Sequence, residues 1–519
     1  MRRLAAFAAV LAVAAPAAAM PPPLPDVADR SMADLQREVA AGRASSESIA
    51  SAYVIRAREI DGRLKSILAA NPNALSDAYA ADQARRAGDT RPLLGAAILL
   101  KDNIETLDPM PTTAGSLALA GNFAGRDAVV AARLRAAGVV ILGKTNLSEW
   151  ANIRSDSSLS GWSAVGGQTR NPYALDRSPC GSSSGSGAAI AAGLAAMAVG
   201  TETDGSITCP AAVSGLVGLK PTVGLVSRTG IVPISATQDT AGPMTRTVGD
   251  AAAMLTVMAG SDPRDPATAE ADRRKEDYAA RLKPDALKGA RIGVMRYAAG
   301  FHPGTDAAFA RALAVLKAQG AVLVEIPDFP NGDKIGGYEL TVLLNEFKAG
   351  LNAYLASTDP AKVRTRTLAE VIAFNTANAD REMPLFGQET FEQAEATRGL
   401  ADPAYLKARA EAYRLAGPEG IDALLKKYGV SALVGPTMGP TWLIDPVLKD
   451  RYVGGGAGNA AAVAGYPHLT VPMGQVGGLP VGLSFVGPKW SDGLLLGYGF
   501  AYEQASGVTL TPTLPTTVN

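Results

Sequence analysis

Cysteine and histidine are almost absent from this chain, with two of each in 519 residues. Two cysteines in so long a chain are not the framework of a disulfide-stapled fold, and the sequence leaves open whether Cys180 and Cys209 pair. With only His302 and His468, a three-histidine metal site cannot be built, and a Ser-His-Asp triad would have to use one of the two. His302 stands in a loop signal, FHPG, and reads as surface. His468 lies in AGYPHLTVP, between a proline turn and a strand-like run, and reads as structural. Net charge is missing too: 49 Lys plus Arg balance 49 Asp plus Glu. That balance argues against a nucleic-acid partner, which needs a basic footprint.

What is present describes a globular chain. Apolar residues make up 47% and charged residues 19%, enough to bury a large core and to exclude wholesale disorder. The start, MRRLAAFAAVLAVAAPAAAM, places Arg2 and Arg3 before an apolar run, and Ala17-Ala18-Ala19 fits a small-residue cleavage site. The run from Leu4 to Ala15 is too short to span a bilayer comfortably. Residues 1–19 are therefore expected to be a removed secretory leader, giving an exported, periplasmic or secreted protein without a stable membrane anchor. Removal leaves 47 basic against 49 acidic residues, a formal charge of −2. Pro21-Pro22-Pro23 then forms a stiff lead-in.

Along the chain, helical and strand patterns alternate, which predicts an α/β fold. Residues 30–60 read as helical with Ser31 as N-cap, and 73–87, 128–138, 186–197 and 247–260 read as further helices. Residues 93–104 read as a buried strand ending at Lys101, and 139–145 as the next strand. A strand-helix-strand unit follows at 291–297, 305–319 and 321–327. Late strands are expected at 431–436, 469–474 and 482–487, with a closing helix at 494–504. No repeat or strong linker divides the chain, so one domain from about 28 to 510 is expected. Residues 330–427 read as a mainly helical insertion on the substrate side. Its Phe347, Phe374, Phe386 and Phe391 suggest an apolar acyl pocket.

One motif is a decoy. Gly138 to Thr145, GVVILGKT, satisfies the phosphate-loop pattern G-x-x-x-x-G-K-[ST]. Its inner residues are Val, Val, Ile and Leu, which favour a buried strand over an anion cradle, and a helix precedes the first glycine where a strand is needed. The informative stretch is CGSSSGSGAAIAAGLAAMAVGTETDGSITCP, residues 180–210. Two Ser/Gly turns flank an Ala-rich helix, which can bring both turns back to one locus.

This stretch resembles the amidase-signature serine hydrolases, and the resemblance extends over nearly the whole chain. It includes LLGAAILLKDNI near 93, GKTNLSEW at 143, GQTRNPY at 167, GSSSGSGAAIAAG at 181 and GTETDGSITCP at 200. QDTAGPMTRTV at 238, VGPTMGP, AGYPHLTVPMG and GLPVGLSF also match. The resemblance implies an amidase-signature fold, a large mixed central sheet covered by helices on both sides. It implies amide hydrolysis through an acyl-serine, with Lys101 of KDNI as base, Ser182 as bridging serine after an unusual cis peptide bond, and Ser206 as nucleophile. Backbone N–H groups of Thr203, Asp204, Gly205 and Ser206 are the implied oxyanion hole, and Ser183 the implied supporting residue. Arg228 resembles a structural arginine, and Asp239 reads as a loop cap. No metal or organic cofactor is implied.

The chain departs from the common spelling GTDxGGSIRxP: Glu202 replaces Asp, Asp204 replaces Gly and Thr208 replaces Arg. That variant looks like the branch that hydrolyses C-terminal peptide amides. Asp204 is then either a binder of a substrate N–H or cationic group, or a structural hydrogen-bond partner. The expected partner is a small-molecule or peptide amide, on a monomer or homodimer. The competing readings are an aryl-acylamidase or esterase-like enzyme, and a binding protein on an inactive hydrolase scaffold. The transamidating relatives work in the cytosol with partner subunits and tRNA, which fits neither the leader nor the balanced charge.

Overall fold

The computed structural model describes residues 24–518. The expected leader at 1–19 and Pro21 to Pro23 lie outside the described residues. Strands form where short runs of Val, Ile, Leu and Ala have no polar alternation. In chain order they are β1 Ile67–Ala70, β2 Ala97–Lys101, β3 Val140–Thr145, β4 Trp162–Ser163, β5 Gly167–Gln168, β6 Met197–Glu202 and β7 Val217–Lys220. There follow β8 Thr240–Thr245, β9 Arg291–Met295, β10 Val322–Ile326, β11 Ala432–Pro436, β12 His468–Val476 and β13 Leu479–Val486. β4 and β5 pair only with each other, and the rest make one eleven-stranded sheet in the order β1-β3-β2-β6-β8-β7-β12-β13-β11-β9-β10.

The sheet is mixed, as the resemblance implied, and helices flank it. β3, β2 and β6 run parallel, and every residue in them is buried. Parallel strands covered on both faces need continuous apolar sequence, which these three have up to the polar residues at their carboxyl ends. β8 joins β6 antiparallel, with Met197 opposite Thr245 and Glu202 opposite Thr240. The helix Ser184–Ala191 packs on β2, β3, β6 and β8. Register brings Lys101 beside Thr145 and sets Leu100 against Val199, so Lys101, Thr201 and Glu202 gather at the carboxyl ends of neighbouring parallel strands. In open α/β sheets that end is where loops converge on a ligand.

Several expected elements shift. The helical run 30–60 is two helices, Met32–Ala40 and Ser46–Leu64. Ser31 caps the first, as its sequence predicts, and Ser45 opens the second through reciprocal bonds with Ser48 of 2.9 and 3.0 Å. The helix expected at 186–197 spans only Ser184–Ala191, and Met197–Glu202 is strand β6. Gly193, at φ 72°, takes the chain out of the helical path, and no side chain fits there, since a Cβ would meet the Ala28 carbonyl oxygen at 2.3 Å. An Ala-rich run carries no period that separates helix from strand. β8 was not expected, since Gly242 and Pro243 mark TAGPMT as loop. Pro243 is nevertheless paired with Val199 inside the sheet.

The region 330–427 is helical, with Gly332–Ser357, Leu368–Ala377 and Pro403–Ala416 as its longest helices. Its phenylalanines do not make a pocket beside the serines. Phe347 stacks on Phe391, which meets Trp150 edge-on, and Phe386 meets Trp162 edge-on. Phe347, Phe386 and Phe391 are core residues, fixing this helical layer to the loop after β3, and Phe374 is half-buried.

Candidate active site

Lys101 is the last residue of β2, and its side chain is fully buried. Its Nζ donates to Ser182 Oγ at 2.7 Å, to Thr201 Oγ1 at 2.9 Å and to the Thr201 carbonyl oxygen at 3.2 Å. Asn103 Nδ2 donates to the same Thr201 Oγ1 at 2.9 Å. Burial lowers the Lys101 pKa to about 7, against the opposing pull of Asp239 and Glu202. The amine is therefore largely neutral just above neutral pH.

The Gly181–Ser182 peptide bond is cis. Ser183 Oγ donates to the Thr201 carbonyl at 3.1 Å and accepts from Thr201 N at 3.2 Å. Ser183 thus holds the residue that holds Lys101. The Ser183 N–H donates to the Ser206 carbonyl at 3.1 Å, which lays the two serine turns side by side. A Cys180–Cys209 disulfide joins the same two segments and resolves the question left open by the sequence.

Ser206 lies in the turn between β6 and the helix Thr208–Val213. Glu202 shapes that turn: its Oε2 accepts the N–H groups of Ile207 at 2.7 Å and Thr208 at 2.9 Å. Gly205 has φ 74°, a conformation that a side chain resists. Among the described residues the N–H groups of Thr203, Asp204, Gly205 and Ser206 donate to no protein acceptor, and Ser206 Oγ makes no hydrogen bond. Four unfilled donors next to a free hydroxyl can receive an oxyanion.

Asp239 is the loop cap its sequence suggested. It accepts the N–H groups of Ile234 and Ser235 at 2.8 and 2.9 Å and the Thr203 hydroxyl at 2.6 Å. Arg228 forks onto Asp265 at 2.9 and 2.6 Å. Two cavities flank the nucleophile turn. One, of about 230 Å³, is lined by Asn103, Thr201, Thr203 and Asp239 among others. The other, of about 370 Å³, is lined by Gly181, Asp204, Gly205, Tyr452, Asn459 and His468 among others. None of the four phenylalanines lines either cavity.

The remaining expectations resolve by position. Lys144 of the phosphate-loop decoy is buried in β3, where it pairs with Asp102 at 3.3 Å and donates to Thr112 Oγ1 at 3.1 Å. It has no loop in which to cradle phosphate. His302 is not a free surface group: its Nδ1 accepts the Thr305 N–H at 3.2 Å and caps the helix Pro303–Ala318. His468 is buried in β12, and its Nε2 lies 2.6 Å from Ser484 Oγ. Thr201, Asn103 and Glu202 were missed as site residues, although KDNI and GTETDGSI contain all three. Asn459, which donates to Asp204, and Glu339, which shares the Asn459 amide, come from distant segments and had no local signal.

Comparison with known proteins gives the same family. The amidase family model matches residues 48–496. The native peptide amidase from Stenotrophomonas maltophilia superposes with TM-score 0.88 at 52% identity, over 95% of this chain and 100% of that one. A peptide amidase in complex with the competitive inhibitor chymostatin gives TM-score 0.89 at 52% identity, over 93% and 99% of the two chains. A probable amidase of Arabidopsis thaliana is 39% identical over 482 residues, covering 91% of this chain and 88% of the relative. The chain belongs to the amidase family and is an amide hydrolase of the amidase-signature type.

Proposed function

We propose that the chain hydrolyses C-terminal carboxamides of peptides, with Ser206 as nucleophile, Ser182 as proton bridge and Lys101 as base. Support for the substrate class is the 52% identity to a peptide amidase across nearly the whole chain. Support for the roles is the contact of a buried, easily neutralised amine with Ser182 at 2.7 Å.

In the neutral amine, the two N–H groups go to the carbonyl and hydroxyl oxygens of Thr201, and the lone pair faces Ser182 Oγ. Ser182 gives its proton to Lys101 and takes the proton of Ser206. Ser206 Oγ attacks the amide carbon, and the oxygen that gains charge is received by the unfilled N–H groups of 203–206. The proton then returns from Lys101 through Ser182 to the leaving nitrogen, the C–N bond breaks, and ammonia leaves. Water, deprotonated by the same route, releases the acid from the acyl-serine. The transfer needs Ser206 Oγ within hydrogen-bond reach of Ser182 Oγ, a contact of the kind that tightens in a substrate complex.

The test is ammonia release from N-acylated dipeptide amides compared with chromogenic anilides and esters, together with fluorophosphonate labelling. Turnover of the peptide amides, with labelling lost in Ser206→Ala, is expected. Turnover of anilides or esters alone would replace the substrate class, and labelling unchanged in Ser206→Ala would replace the nucleophile. Export is part of the proposal. Its supports are the leader-like residues 1–19 and a disulfide, which persists in oxidising compartments. N-terminal sequencing of protein recovered outside the cytoplasm tests it, with a start near Met20 expected.

A further inference from the structure

Asp204 stands two residues before Ser206, where the common family spelling has glycine. Its side chain is exposed, but into the cavity of about 370 Å³ beside the nucleophile turn. Oδ2 accepts from Asn459 Nδ2 at 2.8 Å. Among the described residues Oδ1 accepts nothing, and no ion pair involves Asp204. Asn459 Nδ2 also donates to Glu339 Oε2 at 3.1 Å, and Glu339 Oε1 takes the Gln238 amide at 2.9 Å. Two carboxyl groups thus share one amide. Burial, and then the charge of Asp204, raises the Glu339 pKa to about 8. Burial raises the Asp204 carboxyl too, and the two neighbouring carboxyls disfavour one another's ionisation.

A second unfilled group lines the same cavity. His468 is 1% exposed and its Nδ1 has no partner. Ser484 Oγ donates to Thr437 Oγ1 at 2.9 Å, so it accepts from His468 Nε2, which leaves Nδ1 as a bare lone pair. Gly458 keeps that lone pair uncovered, since a Cβ there would sit 2.3 Å from Nδ1. The cavity therefore presents two acceptors, Asp204 Oδ1 and His468 Nδ1, and waits for donors. A buried acceptor left unpaired is costly, so an occupant that brings N–H groups is favoured.

We propose that Asp204 is a specificity residue that accepts an N–H on the α carbon next to the scissile carbonyl, so that amides of α-amino and α-acylamino acids are selected over amides lacking that donor. The inference rests on the peptide-amide reading and names the group by which such substrates are recognised. The position follows from the turn. Asp204 offers its backbone N–H to the oxyanion, so its side chain reaches a substituent next to the carbonyl. The donor has two sources, an α-ammonium or a peptide N–H.

The test compares leucinamide, N-acetylleucinamide and the matching amide with ester oxygen in place of the peptide nitrogen, on wild type, Asp204→Ala and Asp204→Asn. Wild type is expected to prefer the N–H compound over its oxygen analogue by about 10- to 100-fold in kcat/KM, the size of one hydrogen bond to a charged group. In Asp204→Ala that ratio falls to about 3 or less. Asp204→Asn keeps the shape and removes the charge, so it keeps the protein folded and loses leucinamide turnover disproportionately if the ammonium is the source. Loss mainly on N-acetylleucinamide assigns the peptide N–H. If both variants keep the wild-type ratio while turning over both compounds, the proposal is wrong and the peptide-amide reading stands. If wild type turns over none of the three and still cleaves anilides, both fall together.

Discussion

Lys101 should make the protein less stable at neutral pH than at alkaline pH, and the size can be worked out. Its folded pKa is about 7, against 10.5 for the free side chain. Between those values the unfolded chain carries a proton that the folded chain has released. Stability then rises with pH across that window, by about 1.4 kcal/mol per pH unit. Below pH 7 both states are protonated and the cost is constant; above about 10.5 it is gone. The whole span is worth about 5 kcal/mol, of which about 4 is recovered by pH 10.5, where half of the unfolded side chain has released its proton. Lys101→Met keeps the length of the side chain and removes the titration. It also leaves Ser182 Oγ without a donor, while Thr201 keeps those of Asn103 and Ser183, which costs about 1 to 3 kcal/mol at every pH. The difference in unfolding free energy between wild type and Lys101→Met, from urea denaturation at pH 6 to 10.5, should therefore climb by about 4 kcal/mol, whatever its offset. Lys144 and Lys220 also titrate low because of burial, but they are common to both proteins and cancel. The variant should lose amide turnover, and in wild type kcat/KM should fall tenfold per pH unit below about 7. Parallel stability curves for the two proteins would show that the buried amine keeps its proton at neutral pH, and the relay would have to be abandoned.

Reducing the Cys180–Cys209 bridge, or Cys180→Ala with Cys209→Ala, frees a loop with a sequence separation of 29. Chain entropy puts the loss at about 3 to 4 kcal/mol, read as a lower denaturation midpoint; a change under about 1 kcal/mol would mean that the bridge constrains nothing. Thr201→Val removes an oxygen that accepts from Lys101 at 2.9 Å. Loss of an acceptor disfavours the ammonium, so the acidic limb of kcat/KM should move to lower pH, and a move to higher pH contradicts the assigned contact. Arg154 is fully buried, bonded to Glu149 and 3.7 Å from Glu382. Arg154→Met strands two acids and should cost about 3 to 5 kcal/mol in thermal or chemical unfolding.

The reacting groups were legible because they lie in three short local strings. KDNI follows an apolar strand, and GSSSG and GTETDGSI flank an Ala-rich run; the pattern suggested only that the two Ser/Gly turns meet, and the family resemblance of these strings assigned Lys101, Ser182 and Ser206 to one site. The strand rhythm was legible where Val, Ile and Leu carry it, as in β3 and β9. It failed where composition contradicts position: TAGPMT holds a central strand despite its proline, and AGLAAM, residues 192–197, passes for the end of a helix because alanine has no face. The phenylalanines of the helical layer misled for a related reason. An apolar side chain is equally suited to a pocket wall and to a core, and only the partners of Phe347 and Phe391 decide between them. The linking of Asp204 to Glu339 through Asn459 joins segments over a hundred residues apart, a distance that no local pattern spans.

The machinery that moves the proton is drawn from residues 101–206, while the far wall of the neighbouring cavity comes from Thr437, Tyr452, Asn459 and His468. Apart from Asp204, which lies beside the nucleophile, the groups that face the substrate across that cavity are thus encoded in a later stretch of the gene than the relay. Exchanging the late stretch between homologues would retune which amide is accepted and leave the relay intact. A scaffold divided in this way can be diversified by grafting, one half held constant and the other free to vary.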